Sequence, residues 1–378
     1  MVLFAHKIVL LDTATLGGLS RDYWNAEKPR RDKARSFLLR LQDNGVFVTF
    51  TLTHVLELLR HANKEVVRDR LGFLRAIPLI AWLRPYERHW FPGGTPDLLR
   101  RELHAVVHGS ARNWREIVDA VSPELWETGM GSELFAENDE FWSVMKMESE
   151  RQHENEKHVA SVARTDPGDM MNLRVRDVTA LPVRPKEERE SYLGRFADEM
   201  KSQLDRHGDR RLDRPDAVAF AFVSDTSQRV RTIDEMGGSI TQRLLEFYNV
   251  PDEFVSPEMT LGELGALGVY ASQLRILAAG LRPPVPLTMK EIPPDTLPSY
   301  VLERELASIQ RKAERVSGSD LGDGHIAPLV LYADGVQVDK RTYEALNQMR
   351  RKRPELAALM GRFFRSPDYN DVLDSLDR

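Results

Sequence analysis

Residues 7–12 read KIVLLD, a short unbroken apolar run that opens on a lysine and closes on Asp12. A strand buried on both faces has this character, because helices covering a parallel sheet leave no solvent side along which polar residues alternate. Working outward, residues 30–44 place Phe37, Leu38 and Leu41 at helical spacing and end in the turn signal Asp43-Asn44-Gly45. VFVTF at 46–50 is a second β-rich run. Thr51 or Thr53 can cap the helix that follows, in which Val55, Leu58, Leu59, Val66 and Val67 supply an apolar stripe. IPLIAWL at 77–83 predicts a third strand. Three successive βα units predict an α/β sheet with both faces covered.

From about residue 90 the pattern changes. A Pro/Gly-punctuated break is followed by polar, helix-like segments, apart from AVAFAFV at 217–223, which fits either a strand or a buried helical turn. The proline-dense stretch 282–298 can form neither a continuous helix nor a central strand and reads as a linker. After it, Leu302, Leu306, Ile309 and Val316 mark an amphipathic helix, residues 317–335 read as a capped helix, and VQVDKRT reads as a short strand ending at Asp339. The expected organisation is a discontinuous α/β domain made of residues 1–88 and 299–378, the latter with a helical tail. Residues 89–298 are expected to form a mostly helical insertion.

Composition narrows the chemistry. The 378 residues carry 53 Lys plus Arg against 58 Asp plus Glu, a net charge of −5, and no Cys. Thiolate zinc sites, iron–sulfur clusters, disulfides and cysteine nucleophiles are excluded together, so a metal site must use carboxylates or His. No run approaches the ~18 apolar residues of a membrane span, and the start lacks the basic region and cleavage site of a signal peptide, so a cytoplasmic protein is expected. The acidic balance argues against indiscriminate polyanion binding, although local basic clusters can still engage phosphates.

Four acids stand where an α/β fold exposes them: Asp12 after the first strand, Glu57 on the helix after the second, Asp323 at the start of a late helix, and Asp339 after the last strand. Ligands of open α/β sheets bind outside the carboxyl ends of the strands, so Asp12 and Asp339 can converge there. Gathered carboxylates repel unless a divalent cation neutralises them, and hard oxygen donors favour Mg²⁺ or Mn²⁺. Taken singly, an Asp after a strand also reads as a turn former or helix cap. Glu57 is less easily explained that way, because it interrupts the apolar face VLELL.

VLLDTATL around Asp12, VFVTFTLTHVLELL around Glu57, and SDLGDGHIAPLVLYADGVQVDKRT with Asp323 and Asp339 together resemble the PIN-domain nucleases. That family includes toxins of bacterial toxin–antitoxin modules, RNA-processing enzymes and relatives of flap nucleases. The last segment is the most specific, with Asp323, Ile326, Ala327, Gly335 and Asp339 in the family's order. The resemblance implies a PIN-like parallel sheet flanked by helices, with Asp12, Glu57, Asp323 and Asp339 binding one or two Mg²⁺ or Mn²⁺ ions. It further implies RNA hydrolysis leaving 5′-phosphate and 3′-hydroxyl ends. Asp320 is an alternative third ligand and Asp334 a weaker candidate assigned to the turn. Lys340, Arg341 and Thr13 are the candidate nucleic-acid contacts. The long insertion and the C-terminal tail depart from the compact family pattern; the insertion is expected to control substrate access, activation or a regulatory protein partner. A bacterial toxin or antiphage effector is the setting suggested by analogy. The alternatives are a non-catalytic PIN-like scaffold for nucleic acid or protein, and a flap-type DNA nuclease.

Other motifs carry less. His104 and His108 lie one helical turn apart without a following acidic ligand, and HENEKH at 153–158 misses the zincin spacing. His54 and His61 flank Glu57 and suit packing or surface roles better than phosphate contact. Ala14 occupies the place where an aspartate-nucleophile phosphatase needs a second Asp, and no P-loop, dinucleotide fingerprint or nucleophile elbow is present.

Overall fold

The computed structural model describes residues 6–87, 91–163, 165–180, 186–209, 212–311, 324–366 and 368–377. The chain divides into two compact units: Met1–His153 with Asp295–Ala313 and Ser319–Arg378, and Glu154–Pro294 with Glu314–Gly318.

The first unit is α/β. Strands β1 (Lys7–Leu10), β2 (Val46–Phe50), β3 (Ile80–Leu83), β4 (Trp126–Gly129), β5 (Gly335–Gln337) and β6 (Arg362–Phe364) form one sheet in the order β4-β3-β2-β1-β5-β6. Every neighbouring pair is parallel except β3 and β4. KIVLLD therefore supplies a central strand, and its lack of polar alternation follows from cover on both faces. Val9 and Leu11 join Val48, Phe50, Ile80 and Trp82 in one core, which is covered by α1 (Thr13–Tyr23), α2 (Lys28–Asp43), α3 (Leu52–Leu59) and α4 (Lys64–Ala76). Leu10, Leu83 and Val336 point into the other, beneath α5 (Thr95–Val107), α6 (Trp114–Leu125) and the helices Pro298–Arg311 and Lys340–Lys352. The period-two switch from Val9 to Leu10 to Leu11 puts successive side chains into opposite layers.

Two differences from the sequence reading concern residues 89–298. The sheet unit continues past residue 88, because α5 and α6 cover the second face and β4 pairs antiparallel with β3, Trp126 opposite Leu83. WETG has no strand-like alternation of its own, and pairing with β3 makes it a strand. The AVAFAFV run is helical, lying within Pro215–Met236. Within the second unit, Met200 and Leu204 of the helix Lys186–His207 pack on Val218 and Ala219. The late segment also differs in detail: Ala327–Leu331 is a 3₁₀ turn, and Asp339 caps a helix two residues beyond β5. Among the described residues no helix is long and apolar enough to cross a membrane.

A buried polar knot fastens the returning chain to the sheet unit. Glu102 of α5 is fully buried and accepts hydrogen bonds from Ser299 Oγ at 2.6 Å, Ser299 N at 3.2 Å and the Tyr332 hydroxyl at 2.6 Å. Burial pushes its carboxyl up to about 7, with the Ser299 and Tyr332 donors working against that rise. Unpaired burial of such a group costs several kcal/mol, so the three donors are what make the position tolerable.

Close packing at one glycine joins β4 to the helical layer. A Cβ on Gly131 would lie 1.9 Å from the Leu74 carbonyl oxygen, whereas one on Gly18, inside α1, would meet nothing within 4 Å. Gly131→Ala is expected to destabilise the protein by about 1–3 kcal/mol through overpacking, and Gly18→Ala to stabilise it by about 0.5–1 kcal/mol through helix propensity. Urea-unfolding midpoints shifted in opposite directions are the check.

Candidate functional site

The site lies at the carboxyl edge of the sheet, where β1 and β5 end side by side. Val9 pairs with Gly335 and Leu10 with Val336, so the residues just beyond them enter the same space. Asp12 caps α1, its Oδ1 accepting the Ala14 N–H at 3.1 Å. Asp339 caps the helix Lys340–Lys352, its Oδ1 accepting the Thr342 N–H at 2.7 Å. Both carboxylates thus sit at helix N-termini, where the exposed N–H groups favour negative charge. Asp12, Gln337, Val338, Thr342 and Ile326 line a small open cleft.

Burial pushes the Asp12 carboxyl above its ordinary 3.8; the Ala14 N–H opposes that rise and the Asp339 charge adds to it. Two acids in one place, one of them partly desolvated, resist joint ionisation. A hard cation would offset both effects, and the donor atoms here are oxygens.

The other expected members of the constellation lie as follows. Glu57 is half-buried in the second turn of α3, whose Val55, Leu58 and Leu59 enter the core. Asp320 and Asp323 fall outside the described residues. Among the described residues no three His, Asp or Glu stand together as a metal-binding group. Lys340 and Arg341 are exposed in the turn after Asp339, and Lys340 lies 3.9 Å from Glu344. The Thr13 hydroxyl oxygen is buried without a hydrogen-bond partner among the described residues. Asp334 is structural: its Oδ2 accepts the Ile8 N–H at 2.7 Å and ties the start of β1 to the turn before β5.

Two further residues support the Asp12 segment: Gln337, which the sequence reading passed over, and His54, which it assigned to packing or the surface. Gln337 is 4 % exposed and its Oε1 accepts the Asp12 N–H at 3.2 Å. Its signal is a polar amide inside the buried run VQV, which calls for a partner. His54 is fully buried; its Nδ1 accepts the Thr51 N–H at 3.2 Å and lies 2.8 Å from Thr51 Oγ1. The neutral ring then carries its proton on Nε2. The Leu11 backbone is near enough to favour the protonated ring, yet among the described residues no bond of good geometry reaches Nε2, and burial dominates, pushing His54 down to about 4. His54 therefore has a packing and capping role under the corner that leads into Asp12.

The remaining histidines pair locally. Tyr86 Oη lies 2.9 Å from His104 Nδ1, and the His104 and His108 rings are 4.8 Å apart. Compared with known proteins, the chain matches no family model, no curated protein and no solved structure.

Glu102 and His54 act on stability with opposite signs. Between 4.5 and about 7 the folded state holds the Glu102 proton more tightly than the unfolded chain, so stability falls as pH rises. Between 6.5 and about 4 the unfolded chain protonates His54 while the folded state resists, so stability falls as pH drops. Each contribution is on the order of 3 kcal/mol, and the two oppose each other over their shared interval. Glu102→Gln is expected to remove the falling slope, so that the variant's stability relative to wild type rises with pH between 4.5 and about 7 and the His54 slope is uncovered. Urea midpoints at three pH values measure it, and parallel wild-type and variant curves would contradict it.

Proposed function

We propose that the chain is a divalent-metal-dependent, PIN-like nuclease that hydrolyses phosphodiester bonds in RNA, with Mg²⁺ or Mn²⁺ as cofactor. The observation that carries this reading is the meeting of Asp12 and Asp339 at the ends of two neighbouring parallel strands, with burial and like charge both disfavouring an ionised Asp12. In each acid Oδ1 serves the helix it caps, so Oδ2 is the candidate ligand atom. Oxygen-only donors suit Mg²⁺ and Mn²⁺ over softer ions. When bound, the ion supplies water activation and neutralises charge in an in-line displacement.

Asp12 and Asp323 are assigned as direct ligands, with Asp320 as the alternative to Asp323. Asp339 serves a second ion or orients the first set. Glu57 is a ligand or holds the attacking water. That water attacks phosphorus and gives up a proton, and the P–O3′ bond breaks with protonation of the 3′ oxygen. The products carry 5′-phosphate and 3′-hydroxyl ends. Lys340 and Arg341 contact flanking phosphates, which positions a strand without reading its bases.

Mn²⁺ is expected to raise the melting temperature of wild type, since a ligand that binds only the native state stabilises it. Asp12→Asn relieves carboxylate repulsion, so the metal-free variant is expected to be at least as stable as wild type while losing the Mn²⁺ shift. On labelled single-stranded RNA, Asp12→Asn and Asp323→Asn are each expected to lower the cleavage rate at least about a hundredfold. Cleavage at the wild-type rate by either variant would overturn the assignment. Binding of RNA without cleavage by wild type would favour the scaffold reading, and preference for flapped DNA the flap-nuclease one.

A further inference from the structure

The hydrogen-bond ladder between β1 and β5 stops at Leu10 and Val336. One residue further on, the backbone of β5 stays with β6: Gln337 pairs with Phe364, and the Val338 N–H donates to the Phe364 carbonyl at 3.0 Å. The two central strands therefore part company where the cleft opens, and a side chain bridges them. Gln337 Oε1 accepts the Asp12 N–H at 3.2 Å while its Nε2 donates to the Ser366 carbonyl at 3.0 Å. With an N–H on one side and a carbonyl on the other, the amide has one orientation that satisfies both ends. Beyond it, Ser366 Oγ donates to the Asp368 carbonyl at 2.6 Å, and Asp368 Oδ2 accepts from Lys33 of α2 at 2.6 Å.

We propose that Gln337 is a positioning residue for the Asp12 carboxylate, fixing the angle at which Asp12 is presented to the cleft and linking that angle, through Ser366, to the docking of Asp368, Tyr369 and Asn370 on α2. The role rests on the metal-site reading for its functional consequence, but not for its geometry. A side chain acting on a ligand's backbone controls orientation as a partner of the ligand's own atoms does, and removal of such partners typically weakens metal binding about 10–100-fold. The neighbouring strand contributes no acceptor for the Asp12 N–H at this point, so loss of the Gln337 amide leaves that group to the solvent of the cleft.

The test is Gln337→Met in the full chain, which keeps the length of the side chain and removes both hydrogen bonds. In metal-free protein, hydrogen exchange at the Asp12 amide is expected to quicken about fivefold, the factor set by losing one bond of ordinary strength. Exchange at Val9 and Leu10 is expected to stay unchanged. Mn²⁺ affinity, read from the electron paramagnetic resonance of free Mn²⁺, is expected to fall at least about tenfold. An unchanged Asp12 exchange rate overturns the proposal. So does a parallel rise at Val9 and Leu10, which would make Gln337 a general support of the sheet, and so does wild-type Mn²⁺ affinity in a variant whose Asp12 amide is loosened. If wild type itself binds no Mn²⁺, the metal reading falls, whereas a selective rise at Asp12 still upholds the positioning role.

Discussion

The parallel pairing of β1 with β5 is the constraint on which the rest of the first unit depends. It joins residues 9–10 to residues 335–336 across almost the whole chain, and it closes the sheet between β2 on one side and β6 on the other. Ordering so long an intervening segment has an entropic cost that grows only slowly with length, so burying apolar side chains on two faces can offset it. Val9 and Leu11 in one layer, and Leu10 with Val336 in the other, make that contact dry. Asp334 at one end of the pairing and Gln337 at the other fasten what the short ladder cannot reach.

The same pairing creates the electrostatic problem at its carboxyl end. Capping two helices is a common task for Asp, and either acid alone would need no further explanation. Brought together, they place a half-buried carboxyl next to a second charge, so the Asp12 proton is held more tightly than in a free side chain. Elsewhere in the unit, buried titratable groups are handled differently. Glu102 is surrounded by three donors, and His54 is kept neutral beneath Leu11. Asp12 stands at an open cleft, which is where an external cation can act.

Much of the α/β core was legible because its signals are local. KIVLLD, VFVTF and IPLIAWL are apolar without alternation, which is the mark of strands covered on both sides, and the helices between them carry clear stripes. β4 was not legible, since WETG becomes a strand only by pairing with β3, and the end of the sheet unit was displaced from residue 88 for the same reason. The AVAFAFV run at 217–223 illustrates the limit of reading short apolar segments by period, as both strand and helix fit and the helix forms. At the site, the positions of Asp12 and Asp339 followed from the rule that ligands gather beyond strand ends. The parts played by Gln337 and Glu102 did not, nor did the bond from Thr51 to His54, because a buried polar residue announces only that it needs a partner and not which one. Thr13 looked available beside Asp12, yet its hydroxyl oxygen is buried.

The central claim is that Asp12 and Asp339 share a cation-binding edge. The most direct measurement is a crystal structure of the wild-type chain grown or soaked with Mn²⁺, with the metal located by anomalous scattering. The account predicts a Mn²⁺ peak at the cleft, bonded to a carboxylate oxygen of Asp12 at about 2.0–2.3 Å and with Asp339 bonded to the same ion, to a second ion or to a metal-bound water. Mn²⁺ bound elsewhere, or a cleft that stays empty while both carboxylates hold only protein groups, would contradict it.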